Sequence, residues 1–452
     1  MKKRIAAAMC VLLTAASALM SSTINAGAEG NTLGDITGDK VIDGRDATAV
    51  LTEYASQSAG KAKSFTDDQM KAADVNADGI VDGRDATIIL TYYAKTSSGL
   101  TDSFEDYLAS QTGDIVDRMS LHDKICQMFI VRPDELTNGT DLTSATQATR
   151  DGLEEYPVGG LIFFSNNMES REQVTDMIRT TKDYAAGLGC VPLFFGVDEE
   201  GGVVSRCAEK LGTSAFEPMY SYKDKGPVTA YANARKLAGD IGQFGFDLDF
   251  APVADTWSNP DNKVIGTRAY SDDFEETAML VGAAVRGFRE GGVHCTLKHF
   301  PGHGDTYEDS HDGFAVSNRT LDELRSNEFT AFDRGIKAGA DFVMVGHITV
   351  PAIDNLPASL SSKVINDELR GTLGYDGIVI TDALAMGAIA NAYSSSVCAV
   401  MAVEAGNDML LSPKNLRESV AGIEDAVANG VISEERIDES VRRILKVKGQ
   451  LE

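Results

Sequence analysis

The 452-residue sequence predicts an α/β chain, a TIM-like (β/α)8 barrel preceded by a small helical module, and three observations lead there. Short apolar runs of β type alternate with longer helical patterns from residue 104 to the end. The polar motifs fall at or just past the ends of those runs, the face where barrel enzymes assemble their sites. Ahead of them, the twelve-residue pattern Asp35-Ile-Thr-Gly-Asp39-Lys-Val-Ile-Asp43-Gly-Arg-Asp46 returns 39 residues later as Asp74-Val-Asn-Ala-Asp78-Gly-Ile-Val-Asp82-Gly-Arg-Asp85.

In chain order, residues 1–28 come first and read as a secretory signal. Lys2, Lys3 and Arg4 supply the charged end, Ile5 to Met20 the apolar region, and Ala26-Gly27-Ala28 a small-residue cleavage site. No later apolar run approaches the ~20 residues that span a bilayer, and Cys10 does not follow the apolar region as a lipidated cysteine would. A secreted, extracellular protein without membrane attachment is expected. Cys126, Cys190, Cys207, Cys295 and Cys398 then remain, an odd number without metal-type spacing, which suggests buried free thiols. A formal charge of −27 would repel nucleic acid and anionic surfaces, so neutral substrates fit best.

The repeat places oxygen side chains at loop positions 1, 3, 5, 9 and 12, with a backbone carbonyl at 7, the arrangement that surrounds a hard cation. Those positions are Asp35, Thr37, Asp39, Asp43 and Asp46 with the Val41 carbonyl, then Asp74, Asn76, Asp78, Asp82 and Asp85 with the Ile80 carbonyl. Two acidic turns opening helices would also place Asp there. The doubling of a full twelve-residue pattern argues for the cation loops instead. "ATAVLTEYA" and "ATIILTYYA" follow the loops as helical segments. Asp rather than Glu at the twelfth position, with a single helix after each loop, resembles a dockerin over residues 33–96. The resemblance implies calcium in both loops and a cohesin of a cellulosome-type scaffold as partner. It also places the pairs Gly44-Arg45 and Gly83-Arg84 at the cohesin contact, and their identity would allow two docking orientations. Two departures stand out: Lys40 occupies the sharp turn where the second loop has Gly79, and the module precedes the catalytic domain. A short polar linker, 97–103, separates the two.

Eight apolar runs then follow in the 104–452 domain: "CQMFIV" at 126, "GGLIFF" at 159, "PLFFGV" at 192, "DLDFAPV" at 247, "HCTLKHF" at 294, "DFVMVG" at 341, "GIVIT" at 377 and "DMLLS" at 408. Periodicity alone would also suit an open doubly wound sheet. What favours the barrel is that Asp198-Glu199-Glu200, Asp255, Lys298-His299, His347 and Asp382 all stand at run ends.

Four of the chain's six histidines lie within 294–311, beside carboxylates, as a proton-transfer or ligand site would have them. Asp382 ends an apolar run where an ionised carboxylate can reach a ligand, which suits a nucleophile. A metal-dependent hydrolase using His299, His303, Asp305 and His311 is the competing reading, disfavoured because no His-x-His stands at a strand end.

The motifs "VDEEGG" (197–202) with Arg206, "FAPVAD" (250–255), "VIGTRAY" (264–270), "KHFPGHG" (298–304), "DSH" (309–311) and "ITDALAMGAI" (380–389) together resemble glycoside hydrolase family 3, in its β-N-acetylglucosaminidase branch. The resemblance implies an oligosaccharide substrate and no cofactor for catalysis. It makes Asp382 the nucleophile, His311 the general acid/base and Asp309 its orienting partner. It assigns Asp198, Arg206, Arg268, Lys298 and His299 to the terminal sugar's hydroxyls. His303 would brace its loop and His347 would stand in the pocket wall. Val203 departs from the Arg often found after the Gly-Gly pair, and a chain ending at Glu452 is expected to rely on the barrel for both catalytic groups. A phosphorylase or a β-glucosidase on the same barrel remains open, as does the choice between chitin fragments and peptidoglycan saccharides.

Overall fold

The computed structural model describes residues 31–76, 79–99, 103–111, 115–307 and 315–451. The export signal 1–28, Asp78 of the second loop, and both Asp309 and His311 lie outside these residues. The chain divides into two compact units between Asp114 and Ile115.

In the first unit each twelve-residue loop runs into a helix, Gly44–Ser58 or Gly83–Ser97, and the loop aspartates start it. Asp43 accepts from the Arg45 amide at 2.7 Å while Asp46 accepts from the Asp43 amide at 3.0 Å. Asp82 and Asp85 repeat this at 2.7 and 2.9 Å. Such reciprocal capping satisfies amide donors that the first helical turn leaves open. A helix not foreseen, Asp67–Ala73, precedes the second loop behind a Thr66 cap.

The expected start of the barrel domain at residue 104 needs correction. Helix Phe104–Gln111 belongs to the first unit, because Phe104, Tyr107 and Leu108 are buried with Ile36, Val50, Val75 and Ile89. The Phe104 ring stands edge-on to Tyr92 at 4.9 Å and presses on Gly34, where an added Cβ would come within 2.2 Å of it. Only glycine tolerates that approach at φ +84°.

The second unit is a barrel of eight parallel strands, one in each expected run. They are Phe129–Val131, Gly160–Phe163, Phe194–Val197, Leu248–Asp249, His294–Phe300, Phe342–Val345, Ile378–Thr381 and Leu410–Leu411, called strands one to eight below. Each pairs with its sequence neighbour, strand eight pairs with strand one, and an Ile380–Met409 bridge closes the ring. Strands covered on both faces need apolar side chains at nearly every position, which is why they read as continuous runs. Phe129, Phe163, Phe195, Phe250, Phe300 and Phe342 are all fully buried. Two small additions sit on the loops: a hairpin of Glu199–Gly201 with Val204–Ser205, and a three-stranded sheet of Ala315–Val316, Ile348–Val350 and Asp354–Pro357.

Candidate active site

The carboxyl ends of the strands open into a cavity of about 310 Å³ lined by Asp198, Glu200, Arg206, Arg268, Lys298, His299, His303 and Asp382, with Phe164, Val264 and Met386 among its apolar lining. Each charged group arrives on its own segment. Asp198 and Glu200 follow strand three, and Arg206 opens the short helix Arg206–Leu211. Arg268 ends the turn Gly266–Arg268, Lys298 and His299 lie within strand five, and Asp382 follows strand seven directly.

These groups form a connected chain of ions. Lys298 Nζ donates to Asp198 Oδ1 at 2.9 Å and to Glu200 Oε1 at 2.7 Å. Arg268 grips Glu200 with two bonds, Nε to Oε2 at 2.8 Å and a terminal nitrogen to Oε1 at 2.7 Å. Arg206 meets Asp198 at 3.5 Å and lies over the Phe164 ring at 4.9 Å. Burial opposes charge on Glu200, but Lys298 and Arg268 outweigh it and hold the carboxyl far below the usual range. Burial likewise works against the Lys298 ammonium, while Asp198 and Glu200 keep it charged above its ordinary value.

A second buried carboxylate, Asp255, organises the histidines. Its Oδ2 accepts from His299 Nδ1 at 2.7 Å and from the His299 amide at 3.1 Å, and its Oδ1 accepts from the His303 amide at 2.7 Å. The His299 proton is thereby fixed on Nδ1. His303 braces the loop as expected, with Nδ1 bonded to Thr306 at 2.6 Å and its carbonyl to Asn262 at 2.7 Å, and it also lines the cavity. Asp382 accepts from the Ala383 amide at 2.7 Å. Burial would raise its pKa, but His299 and His347, then the Ala383 amide and Lys298, hold the carboxyl below the usual carboxylate range. An ionised carboxylate at the floor of a sugar-sized cavity can attack an electrophilic carbon.

The structure thus gathers Asp198, Arg206, Arg268, Lys298, His299 and Asp382 in one cavity. His347 differs from expectation: it is fully buried behind the wall, with Nδ1 bonded to Ser359 at 2.7 Å and Nε2 to the Ala383 carbonyl at 3.0 Å. Among the described residues no three His, Cys, Asp or Glu side chains converge as a metal site. Glu200 and Asp255 are the groups that sequence reasoning left without a role. The only signal was a carboxylate at a strand end, since their partners lie 68 and 44 residues away.

In the first unit the loop carboxylates are spread over backbone amides. Asp35 accepts from the Gly38, Asp39 and Lys40 amides at 2.7, 3.1 and 2.8 Å. Asp39 and Asp43 share Arg45 at 2.7 and 2.8 Å. Among the described residues Asp74 Oδ1 is buried without a hydrogen-bond partner. An orphaned carboxylate oxygen at loop position 1, within an all-oxygen donor set, fits a hard cation such as calcium. Lys40 holds the left-handed turn at φ 69°, close to the 80° of Gly79.

Comparison with known proteins follows the same division. Residues 33–92 match the dockerin type I domain, and residues 120–447 match the glycosyl hydrolase family 3 N terminal domain. Beta-hexosaminidase A of Pseudoalteromonas piscicida is 31% identical over 325 residues, 66% of this chain and 54% of that protein. The beta-hexosaminidase of Stenotrophomonas maltophilia (strain K279a) is 38% identical over 283 residues, 60% of this chain and 80% of the relative. Among solved structures, a glycoside hydrolase family 3 beta-N-acetylglucosaminidase from Paenibacillus sp. str. FPU-7 superposes with a TM-score of 0.69 at 38% identity, over 74% of this chain and 62% of that one. A family 3 glycosyl hydrolase from Mycobacterium smegmatis str. MC2 155 gives 0.67 at 31%, over 75% and 100%. The chain spans about half the length of the first of these relatives and all of the mycobacterial one. With a closed barrel, the ion chain at its carboxyl end and a family match from strand one through strand eight, the chain belongs to glycoside hydrolase family 3.

Proposed function

We propose that this chain is a secreted, scaffold-docked retaining glycosidase that releases non-reducing terminal β-linked N-acetylglucosamine. The observation that carries the reading is Asp382, an ionised carboxylate lining a cavity whose other charged groups are held in place by one another and would hydrogen-bond sugar hydroxyls. The naming of its relatives as hexosaminidases supports the choice of sugar. The Asp382 carboxylate attacks the anomeric carbon as the bond to the leaving oxygen breaks, and protonated His311 supplies the proton to that oxygen. A water then attacks the same carbon, His311 takes its proton, and Asp382 leaves with its electron pair. Two inversions give net retention. Asp198, Arg206, Arg268, Lys298 and His299 hold the sugar while this occurs. In the first unit, calcium bound by the loop aspartates and the Val41 and Ile80 carbonyls would tie each loop together. The exposed Arg45 and Arg84 would then present the face that meets a cohesin.

The test is to incubate the full chain with an aryl β-N-acetylglucosaminide, with and without phosphate, and to follow the first-formed sugar by NMR. The β anomer of free N-acetylglucosamine is expected in both arms. A dominant α anomer would sink the two-step mechanism, and quantitative sugar 1-phosphate would establish a phosphorylase on this barrel.

A further inference from the structure

Glu200 takes no part in the chemistry proposed above, yet its side chain is only 2% exposed and both of its oxygens are engaged by Arg268 and Lys298. Asp198 differs, since its side chain is 16% exposed to the cavity and it shares Lys298 with Glu200. The described lining carries three cations, Arg206, Arg268 and Lys298, and three carboxylates, Asp198, Glu200 and Asp382. The balance rests on Glu200. Without it, Arg268 and Lys298 would stand together beside Asp198 with a net positive charge, and adjacent enclosed cations are what an oxyanion binds. Two ammonium- or guanidinium-type groups would also lose the partner that fixes their geometry, and a buried charge left without its partner is costly.

We propose that Glu200 is a positioning and specificity residue: it fixes Arg268 and Lys298 for neutral sugar hydroxyls and, by cancelling one of their charges, keeps small oxyanions out of the pocket. The inference rests on the glycosidase reading for its sugar half, whereas the oxyanion half stands on the ion geometry alone.

Two substitutions in the full chain separate the parts. Glu200→Gln keeps the length and loses the charge, while Glu200→Asp keeps the charge and loses the reach. Binding of inorganic sulfate is read by calorimetry without any sugar present, and kcat and KM are read on the aryl glycoside. The wild-type chain is expected to bind sulfate more weakly than ~10 mM and Glu200→Gln at about 1 mM or tighter. Glu200→Asp should still exclude sulfate. Both variants should raise KM by about 10- to 100-fold, the loss expected for hydrogen bonds to charged groups, with a smaller effect on kcat. A third readout is the alkaline limb of kcat/KM on an activated aryl glycoside, whose leaving group needs no proton from His311. Lys298 is faced by Asp198 and Glu200, by Arg268, and more distantly by Asp249 and Asp382. Loss of one carboxylate should therefore move that limb to lower pH in Glu200→Gln, a shift that a packing defect would not produce.

A folded Glu200→Gln variant with wild-type KM and no sulfate binding overturns the proposal. If that variant does not fold, Glu200→Asp decides: an unchanged KM sinks it, and a raised KM with sulfate still excluded supports it. Failure of the wild-type chain to turn over the glycoside would count against the glycosidase reading instead, and the sulfate comparison would remain decisive for Glu200.

Discussion

Asp382 depends on its neighbours for its charge. A carboxyl held below its ordinary value is ionised above that lowered pKa and loses its charge only as pH falls through it, so the acid limb of turnover should lie below the ordinary Asp value of ~3.9. His347 is one of the groups that hold it there, so His347→Ala should move the acid limb of kcat/KM to higher pH. An activated aryl glycoside is the proper substrate, because its leaving group needs no proton; an unmoved limb would remove His347 from the account. Asp382→Ala should reduce turnover of every substrate by at least ~10⁴-fold. His311→Ala should cost about 10²–10⁴-fold on poor leaving groups and much less on activated ones, since only the former need protonation. Equal losses for both would contradict the role given to His311. The residues that face the cavity were legible because their motifs stand at strand ends. Glu200 and Asp255 were not, because a buried carboxylate declares its purpose only through partners that the fold brings from 68 and 44 residues away. His347 read as a wall residue for the same reason, since nothing local to it reveals the Ser359 and Ala383 bonds that turn it inward.

Elements were legible where burial forces a pattern. All eight barrel strands lie inside apolar runs, even the two-residue strands four and eight. The hairpin at 199–205 and the small sheet were not, since two to four residues of mixed polarity carry no period. Helix Phe104–Gln111 was assigned to the wrong unit because its apolar residues name no partner; Gly34, seventy positions earlier, is the surface made for Phe104. The two twelve-residue loops differ at the left-handed turn. Lys40 adopts a left-handed conformation that costs a side-chain-bearing residue about 1 kcal/mol, which Gly79 avoids. Lys40→Gly should therefore tighten calcium binding in the first loop by up to ~5-fold. Calorimetry of the variant beside the parent chain checks this, and identical affinities would show that Lys40 carries no penalty there.

At the scale of the molecule, two separate cores imply two separate transitions. If the loops hold calcium as proposed, chelation should unfold the first unit and abolish cohesin binding, while aryl glycosidase activity stays nearly unchanged. Phe104→Ala should destabilise the same unit by about 3 kcal/mol. Scanning calorimetry with calcium present would show one transition moving and the barrel transition standing still; a shift of both would mean that the units are coupled. The barrel carries a consequence for biogenesis. Strand eight, Leu410–Leu411, is the last barrel strand to be synthesised, and it laces the segment after Asp382: the Leu384 amide donates to the Leu411 carbonyl at 2.9 Å and the Ala385 amide to the Ser412 carbonyl at 3.0 Å. Strand six supports the other side, through the Asp382 amide on Val345 at 2.9 Å. A growing chain therefore carries every charged pocket residue but leaves one flank of Asp382 unsupported until residue 412 has arrived. Turnover of the aryl glycoside should therefore appear only once strand eight is in place, and a fragment cut anywhere before it should show none.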